Sequence, residues 1–446
     1  VKGSLETGTD SILLYGNMGV WLTNPGLNSF ADFNDGFPRG IDNRKISSMV
    51  KTPDGRLLAG TLFGLYQKKA GKNGKWEKIS LPVDELRIVK ILVKNDSLLV
   101  LTRSNLMLNR LSEKNSQFSI IKLPVPADDD HKTGLFRTLW VVHSGEIYGW
   151  VGKLIVDGIG ITFIIICITG LIWFFVPMFI RKIRDDAKSR IKKFNRDSLR
   201  VHNWLGSWLL PVLLLTTMTG MFLRPPLLIP IAESRVGKIR FSELDSPNPW
   251  FDRFRDMVYD AASGKYLFAT GEGIYFTDGH LQKPMIPFSN QPPVSVMGIT
   301  TFEKNSDSSY IIGSFSGIYR WNPETGDIFD HFTGMRYEPV EQSGPPFGNI
   351  SVSGYVRIKD NEYIFDYAAG AIGLKNSLPF APMPDLIVRN SPISLWNTAL
   401  EFHTGRIYEP LLGSFYILVV PLAGIFTLLI IITGFIIWYK GRKKKK

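Results

Sequence analysis

Three long apolar runs stand out along the chain, at 154–180, 203–223 and 411–439. Each is long enough to cross a membrane, because about 20 apolar residues in a helix span the hydrocarbon core. The alternative is three buried helices of a soluble protein, but soluble helices of this length usually carry a polar face. We therefore predict three transmembrane helices.

A second pattern occurs six times outside these runs. Each copy has an apolar run, a Gly or Thr, a few small or polar residues, and then usually Gly, an aliphatic and an aromatic residue. The copies begin at Ile12, Leu57, Leu98, Leu267, Ile311 and Ile364, and those at Leu98 and Ile364 are the weakest. Strand–turn–strand units with a period of about 40–45 residues are typical of β-propeller blades.

The two patterns alternate and so divide the chain into segments. Three β units precede the first apolar run and three follow the second, which predicts one propeller of about six blades interrupted by a helical hairpin. Two separate β-sandwich domains are the alternative. The predicted segments are a β half at 1–133, a transmembrane helix at 134–180, a basic loop at 181–201, a second transmembrane helix at 202–232, a β half at 233–391, a third transmembrane helix at 392–440 and a basic tail at 441–446.

The charge of the chain is concentrated beside the apolar runs. The net charge is +12, from 52 Lys and Arg against 40 Asp and Glu. Residues 181–200 hold nine basic and three acidic side chains and 440–446 hold six basic ones, so the rest of the chain is neutral. A nucleic-acid-binding protein would spread its basic residues over a domain face, so we expect no nucleic-acid partner.

The two basic clusters predict the orientation in the membrane. Loops rich in Lys and Arg stay in the cytoplasm, which leaves both β halves outside, in the periplasm of a bacterial inner membrane. A large domain before the first span must be exported, and no signal peptide follows Val1. We expect a cleaved signal or another span before Val1.

Three of the six histidines lie at the ends of the apolar runs. His143 in HSGEIYGWVGK and His403 in HTGRIYEPLLG begin two copies of one motif, and His202 in VHNWLGSWLLP precedes the second run. Each span also contains a Thr-Gly pair. An interfacial histidine is often a polar anchor, but repetition of the whole motif favours a ligand pair at His143 and His403.

These strings resemble the PepSY-associated transmembrane (PepSY-TM) family, over roughly 134–232 and 392–446. The family commonly has four spans in two pairs, so the resemblance implies a further helix before Val1. Some members look like haem-containing reductases of ferric siderophores. The short β repeats are also similar to those of extracellular sensor propellers in two-component regulators.

The resemblance implies a membrane oxidoreductase with two b-type haems. His143 and His403 would hold an outer haem, and His202 an inner haem with a histidine of the missing helix. Arg406, Arg224 and Arg137 flank the outer ends and would pair with haem propionates. Electrons would come from a cytoplasmic or quinol donor and reduce a periplasmic ferric chelate. The alternative is a lipid-embedded sensor or scaffold whose propeller binds a periplasmic protein.

The remaining histidines and the single cysteine receive structural interpretations. His131, His280 and His331 have no ligand-like spacing, and we expect them at the surface or in turns. Cys167 lies within a span, where we expect a small packing residue rather than a reactive thiol.

Overall fold

A computed structural model describes residues 1–69, 74–113, 117–180, 185–295, 297–306, 308–338, 350–374 and 377–443. The side chains of residues 185 and 186 are also outside the description. The chain forms two compact units. The β unit comprises Val1–Asp130 and Pro247–Asn397, and the helical unit comprises His131–Ser246 and Thr398–Lys446.

The β unit contains, within the described residues, six small antiparallel sheets in which each strand pairs with the next along the chain. The first three are Gly3–Gly8 (β1), Ser11–Gly16 (β2), Gly19–Thr23 (β3) and Phe30–Asp32 (β4); Ile46–Lys51 (β5), Leu57–Thr61 (β6), Gly64–Lys68 (β7) and Glu77–Ile79 (β8); and Ile88–Lys94 (β9), Ser97–Thr102 (β10), Leu106–Arg110 (β11) and Ser119–Ile121 (β12). A separate pair in the helical unit is Lys132–Gly134 (β13) with Arg235–Gly237 (β14).

Three further sheets follow the helical hairpin. They are Phe254–Asp260 (β15), Lys265–Thr270 (β16), Ile274–Thr277 (β17) and Ile286–Pro287 (β18); Ile299–Ser306 (β19), Ser309–Ser314 (β20), Gly317–Trp321 (β21) and Ile328–Asp330 (β22); and Val352–Ile358 (β23), Asn361–Asp366 (β24) and Gly370–Gly373 (β25). The six repeats in the sequence coincide with the second and third strands of the six sheets. The glycine after the turn, such as Gly19 or Gly317, has a positive φ, as the pattern predicts.

The sheets close into a ring, which makes the β unit a single six-bladed propeller over its described residues. One apolar cluster fills each space between successive sheets, and another joins the sixth sheet to the first. That closing cluster packs Trp21 against Val356. The cluster joining the third sheet to the fourth packs Leu99 against Phe268. The first strands of the sheets contact one another in the same cyclic order.

This ring excludes the alternative of two β-sandwich domains. The second strands β2, β6 and β10 are buried along nearly their whole length, because each sheet is covered on both faces by its neighbours. The chain has one cysteine, Cys167, and it is a free cysteine of the helical unit. No disulfide therefore links the sheets of the propeller. Packing between sheets therefore holds the ring together.

The helical unit contains the three predicted apolar helices. The described helices of the chain are Leu135–Ser144 (α1), Gly149–Phe179 (α2), Asp185–Met221 (α3), Asp385–Asn390 (α4), Leu395–His403 (α5), Glu409–Leu412 (α6) and Val419–Lys443 (α7). Helices α2, α3 and α7 are long and apolar enough to cross a membrane. Helix α3 packs against both α2 and α7.

The helix bounds differ from the predicted segments in two ways. Each of the first and third predicted helices is divided, so that a short helix, α1 or α5, precedes the long one. Helix α3 already begins at Asp185, inside the predicted loop, and its 37 residues extend about 55 Å. A bilayer core is about 30 Å thick, so the basic first half of α3 extends beyond it. Arg181, Lys182, Arg184 and Lys444–Lys446 lie outside the described residues.

Candidate functional site

The repeated His motif marks the end of a short helix. His143 is near the last turn of α1, and His403 is the last residue of α5. Two residues later Gly145 and Gly405 adopt the left-handed conformation, with φ of 78° and 75°. A glycine in this conformation ends a helix without steric cost. The motif therefore places each histidine just before the chain turns toward a long apolar helix.

The imidazoles of His143 and His403 lie beside each other. Their ring centroids are 5.8 Å apart and their planes are inclined by 35°. They come from two short helices that are far apart in sequence and related by the repeat. The sequence predicted that these two side chains would meet, and the structure brings them together.

The two nitrogens of His143 have different surroundings. The Nδ1–H donates to the carbonyl oxygen of Thr216 on α3 at 3.0 Å, and the hydroxyl of Thr219 lies 3.4 Å from the same nitrogen. A carbonyl can only accept, so Nδ1 carries the proton. In the neutral ring Nε2 then has a free lone pair, which a metal ion requires. His143 precedes the first candidate span, Glu146–Phe179. Burial lowers the pKa of His143, the hydrogen bond to Thr216 opposes this, and the nearby His403 lowers the pKa further.

His202 on α3 has an equivalent arrangement with α2. Its Nδ1–H donates to the carbonyl oxygen of Ile166 at 2.9 Å, and the Thr169 hydroxyl lies 3.3 Å away. Residues 202 and 219 are separated along α3 by about 25 Å, at 1.5 Å per residue. His202 and the α3 residues that contact His143 are thus near opposite sides of a bilayer core.

The partners of these histidines are the Thr-Gly pairs of the neighbouring spans. The sequence showed the pairs as a repeat but gave them no role. Their role becomes visible only from the packing of the helices. Thr219-Gly220 contacts His143, and Thr169-Gly170 contacts His202. The recurrence of a Thr-Gly pair in all three spans was the available signal.

The arginines flanking the histidines are only partly in the expected setting. Arg406 forms an ion pair with Glu401 on α5, so a carboxylate already occupies part of its guanidinium. Arg224 and Arg137 also have interaction partners. Among the glycines near the histidines, Gly206 and Gly413 have open space, within the described residues, where a side chain would be. Gly145 instead packs against the backbone of Gly152.

One of the remaining histidines is not at the surface. His131 and His280 are exposed as expected, but His331 is 8% exposed and its Nε2 lies 2.9 Å from Oε2 of Glu362. Glu362 also pairs with Arg357 at 2.7 Å. His331 lies in a turn after β22, one of the two expected settings, but its side chain is buried, and the sequence gave no sign of its contact with Glu362 of the neighbouring blade.

The prediction that the cysteine packs within the protein was wrong. Cys167 is exposed on α2 rather than packed within the unit, so it faces outward from the protein. Among the described residues, no group of three or more His, Cys, Asp and Glu is placed to hold a metal ion. His143 and His403 form a pair of neighbouring imidazoles.

The comparisons with known proteins support the membrane part of the chain most directly. The family model described as PepSY-associated TM region matches residues 175–440, more than half of the chain. No curated protein matches the sequence.

Two solved structures match the chain at very low identity and with TM-scores of 0.40 or less. One is the extracellular domain of a protein described as a hybrid two component system of B. thetaiotaomicron, with a TM-score of 0.40 and 9% identity, covering 84% of this chain. The match covers 32% of that chain, about a third of its length. Another is the WD40 β-propeller domain of Doa1, with a TM-score of 0.37, 8% identity and coverage of 84% of this chain and 93% of the other.

Proposed function

Because the chain belongs to the PepSY-associated TM family, we propose that it is a multi-pass inner-membrane protein that binds haem and moves electrons across the bilayer. The observation that carries this proposal is the approach of His143 and His403, whose ring centroids are 5.8 Å apart. Two imidazoles from facing helices are a common means of holding a haem iron in a helical protein.

The residues present fit such a group. A metal ion lies about 2 Å from an imidazole nitrogen, so two rings sharing one ion have their ligating nitrogens about 4 Å apart and their centres somewhat farther apart. The separation of 5.8 Å is close to this requirement. The hydrogen bond from Nδ1 of His143 to Thr216 leaves Nε2 as the ligating nitrogen. The same hydrogen bond to Thr216 also fixes the orientation of the imidazole ring.

His202 supplies one ligand of a second haem in this proposal. Its Nδ1 has the same kind of carbonyl partner as Nδ1 of His143, so the tautomer that this contact favours leaves Nε2 available to a metal ion. The second imidazole would come from a fourth span of the kind that the family commonly has. With a separation of about 25 Å along α3, the two sites would lie near opposite faces of the membrane.

The bound haems would supply one-electron chemistry, and the protein supplies ligands and surroundings. Arg224 would pair with a propionate, and Arg406 would do so by exchanging its bond to Glu401. Electrons would enter from a cytoplasmic or quinol donor at the His202 side. They would leave near His143 and His403 toward a periplasmic acceptor, such as a ferric siderophore or another ferric chelate bound by the propeller.

An absorption spectrum of the full chain, produced with ample haem and purified in detergent, tests the proposal. We expect a Soret band that the variants His143→Ala and His403→Ala reduce equally, with no further loss in the double variant. His280→Ala, at an exposed position of the propeller, is the control and should keep the full haem content. A folded wild-type protein without a Soret band would refute haem binding and favour a scaffold whose propeller binds a partner protein.

A further inference from the structure

Two histidines on different helices are held by the same local arrangement in the neighbouring helix. In each, Nδ1 faces the carbonyl oxygen three residues before a threonine: Thr216 before Thr219, and Ile166 before Thr169. The threonine hydroxyl lies within 3.4 Å of Nδ1 in one case and 3.3 Å in the other. The arrangement recurs although His143 lies before the spans and His202 within α3.

The threonine of each pair is bonded back to its own helix. Thr219 Oγ1 lies 2.8 Å from the carbonyl oxygen of Leu215 and 3.0 Å from that of Thr216. Thr169 has matching distances of 2.7 and 3.0 Å to Ile165 and Ile166. These two threonines are 4% and 9% exposed. Each threonine therefore lies next to an imidazole, beside the carbonyl oxygen that accepts the hydrogen bond from the imidazole Nδ1–H.

The glycine of each pair provides room for the ring. A methyl group at Gly220 would lie 2.6 Å from Cε1 of His143, too close for any real contact. At Gly170 it would lie 3.2 Å from Cε1 of His202, which is tight. An alanine at either position would push the ring away from the carbonyl oxygen that accepts the hydrogen bond from Nδ1–H.

We infer that Thr219-Gly220 and Thr169-Gly170 are positioning residues that hold His143 and His202 with Nδ1 protonated and Nε2 turned outward as the ligating nitrogen. The glycine allows the ring to approach, the carbonyl fixes the tautomer, and the threonine hydroxyl keeps the ring in register. Only the identity of the ligand rests on the proposed function, since the ring orientation is a property of the protein alone.

The third span provides a matched control. Thr433 bonds back to Leu429 and Ile430 at 2.6 and 3.3 Å, as the other two threonines do within their helices. Thr433 is exposed, and no atom in the described part of the chain lies within 4 Å of a methyl group placed at Gly434. Changes at this pair alter the same helix chemistry without touching His143 or His202.

The test compares Gly220→Ala, Gly170→Ala and Gly434→Ala in the full chain. With haem present, loss of an outer hydrogen bond to a ligating imidazole typically weakens metal binding 10–100-fold. We expect Gly220→Ala to weaken haem binding at the His143 site by such a factor and Gly170→Ala to do so at the His202 site. Gly434→Ala should leave haem content and the electron paramagnetic resonance signals of both sites unchanged.

A second measurement needs no haem. Solid-state ¹⁵N NMR of haem-free protein labelled at histidine reports which ring nitrogen carries the proton. We expect the protonated Nδ1 signal of His143, identified by its loss in His143→Ala, to shift in Gly220→Ala and Thr219→Val and to return in Thr219→Ser. The Thr219 variants keep the test decisive where Gly220→Ala does not fold.

The outcomes separate the two proposals. A shifted Nδ1 signal in protein that never binds haem would overturn the proposed function and support the positioning role. The opposite result is a wild-type protein that binds haem normally, with Gly220→Ala and Thr219→Val matching Gly434→Ala in haem binding and in the Nδ1 signal. That result would overturn the positioning role and leave the proposed function intact.

Discussion

Trp250 joins the two halves of the propeller, and its replacement by alanine tests whether they form one ring. The side chain is 1% exposed, and its ring stacks on Phe254 with centroids 5.1 Å apart. Its Nε1–H donates to the carbonyl oxygen of Pro124 at 2.8 Å, across the sequence gap that contains the helical hairpin. Its cluster includes Leu99 from the third sheet as well as residues of the fourth.

The expected loss of stability is large. Replacing a buried Trp by Ala typically costs about 3–5 kcal/mol through lost burial and the cavity left behind. The carbonyl of Pro124 also loses its donor, at a cost of about 1–3 kcal/mol where it stays buried. Taking about 4 kcal/mol, and about 2–4 °C per kcal/mol for a domain of this size, the melting temperature should fall by roughly 8–16 °C.

Hydrogen exchange of the full chain in nanodiscs, read by mass spectrometry during heating, distinguishes the two halves. We expect Trp250→Ala to reduce protection in both halves together, because the ring unfolds as a unit. Trp396, which is 73% exposed, provides the control, and Trp396→Ala should leave propeller protection unchanged. Faster exchange confined to residues after 247, with normal protection before 130, would refute the closed ring.

Two further changes test the propeller's acid sensitivity and the packing of the helical unit. Burial raises the pKa of Glu362, but the hydrogen bond from His331 and the charge of Arg357 outweigh it, so the pKa is lowered from 4.5. A depressed pKa gives stability that is present above pH 4.5 and is lost as the pH falls through the folded-state value. Glu362→Gln should therefore flatten the fall in melting temperature below pH 4.5. An unchanged slope would contradict the contribution of Glu362. A methyl group at Gly424 would lie 2.1 Å from Cγ of Met221, so Gly424→Ala should cost about 1–3 kcal/mol in thermal unfolding of the helical unit. Adding Met221→Ala should restore much of it, and no rescue would show that the two helices do not pack there.

The sequence was sufficient for the repeated parts of the propeller. The runs beginning at Ile12 and Leu57, for example, alternate a buried strand with a tight glycine turn, and both features are local. The weak copies at Leu98 and Ile364 also proved to be the second and third strands of their sheets. The short outer strands, such as Ser119–Ile121, carry no comparable pattern because few of their side chains are buried.

The candidate site could be predicted only in part. Motif repetition was enough to pair His143 with His403, because related helices occupy related positions. The contact of His143 with Thr219-Gly220 depends on the register of α1 against α3, which no local pattern records. The burial of His331 escaped prediction for the same reason, since its partner Glu362 belongs to the next sheet.

Closure of the ring also has a consequence for membrane topology. Residues 1–130 and 247–397 share one packed core, so they must lie on the same side of any bilayer that the chain crosses. The segment between them must then cross an even number of times, and α2 and α3 supply two crossings. Parity thus requires both halves on one side of the membrane, in independent agreement with the distribution of Lys and Arg. Loss of either helix would leave the two halves of the ring on opposite faces of the membrane.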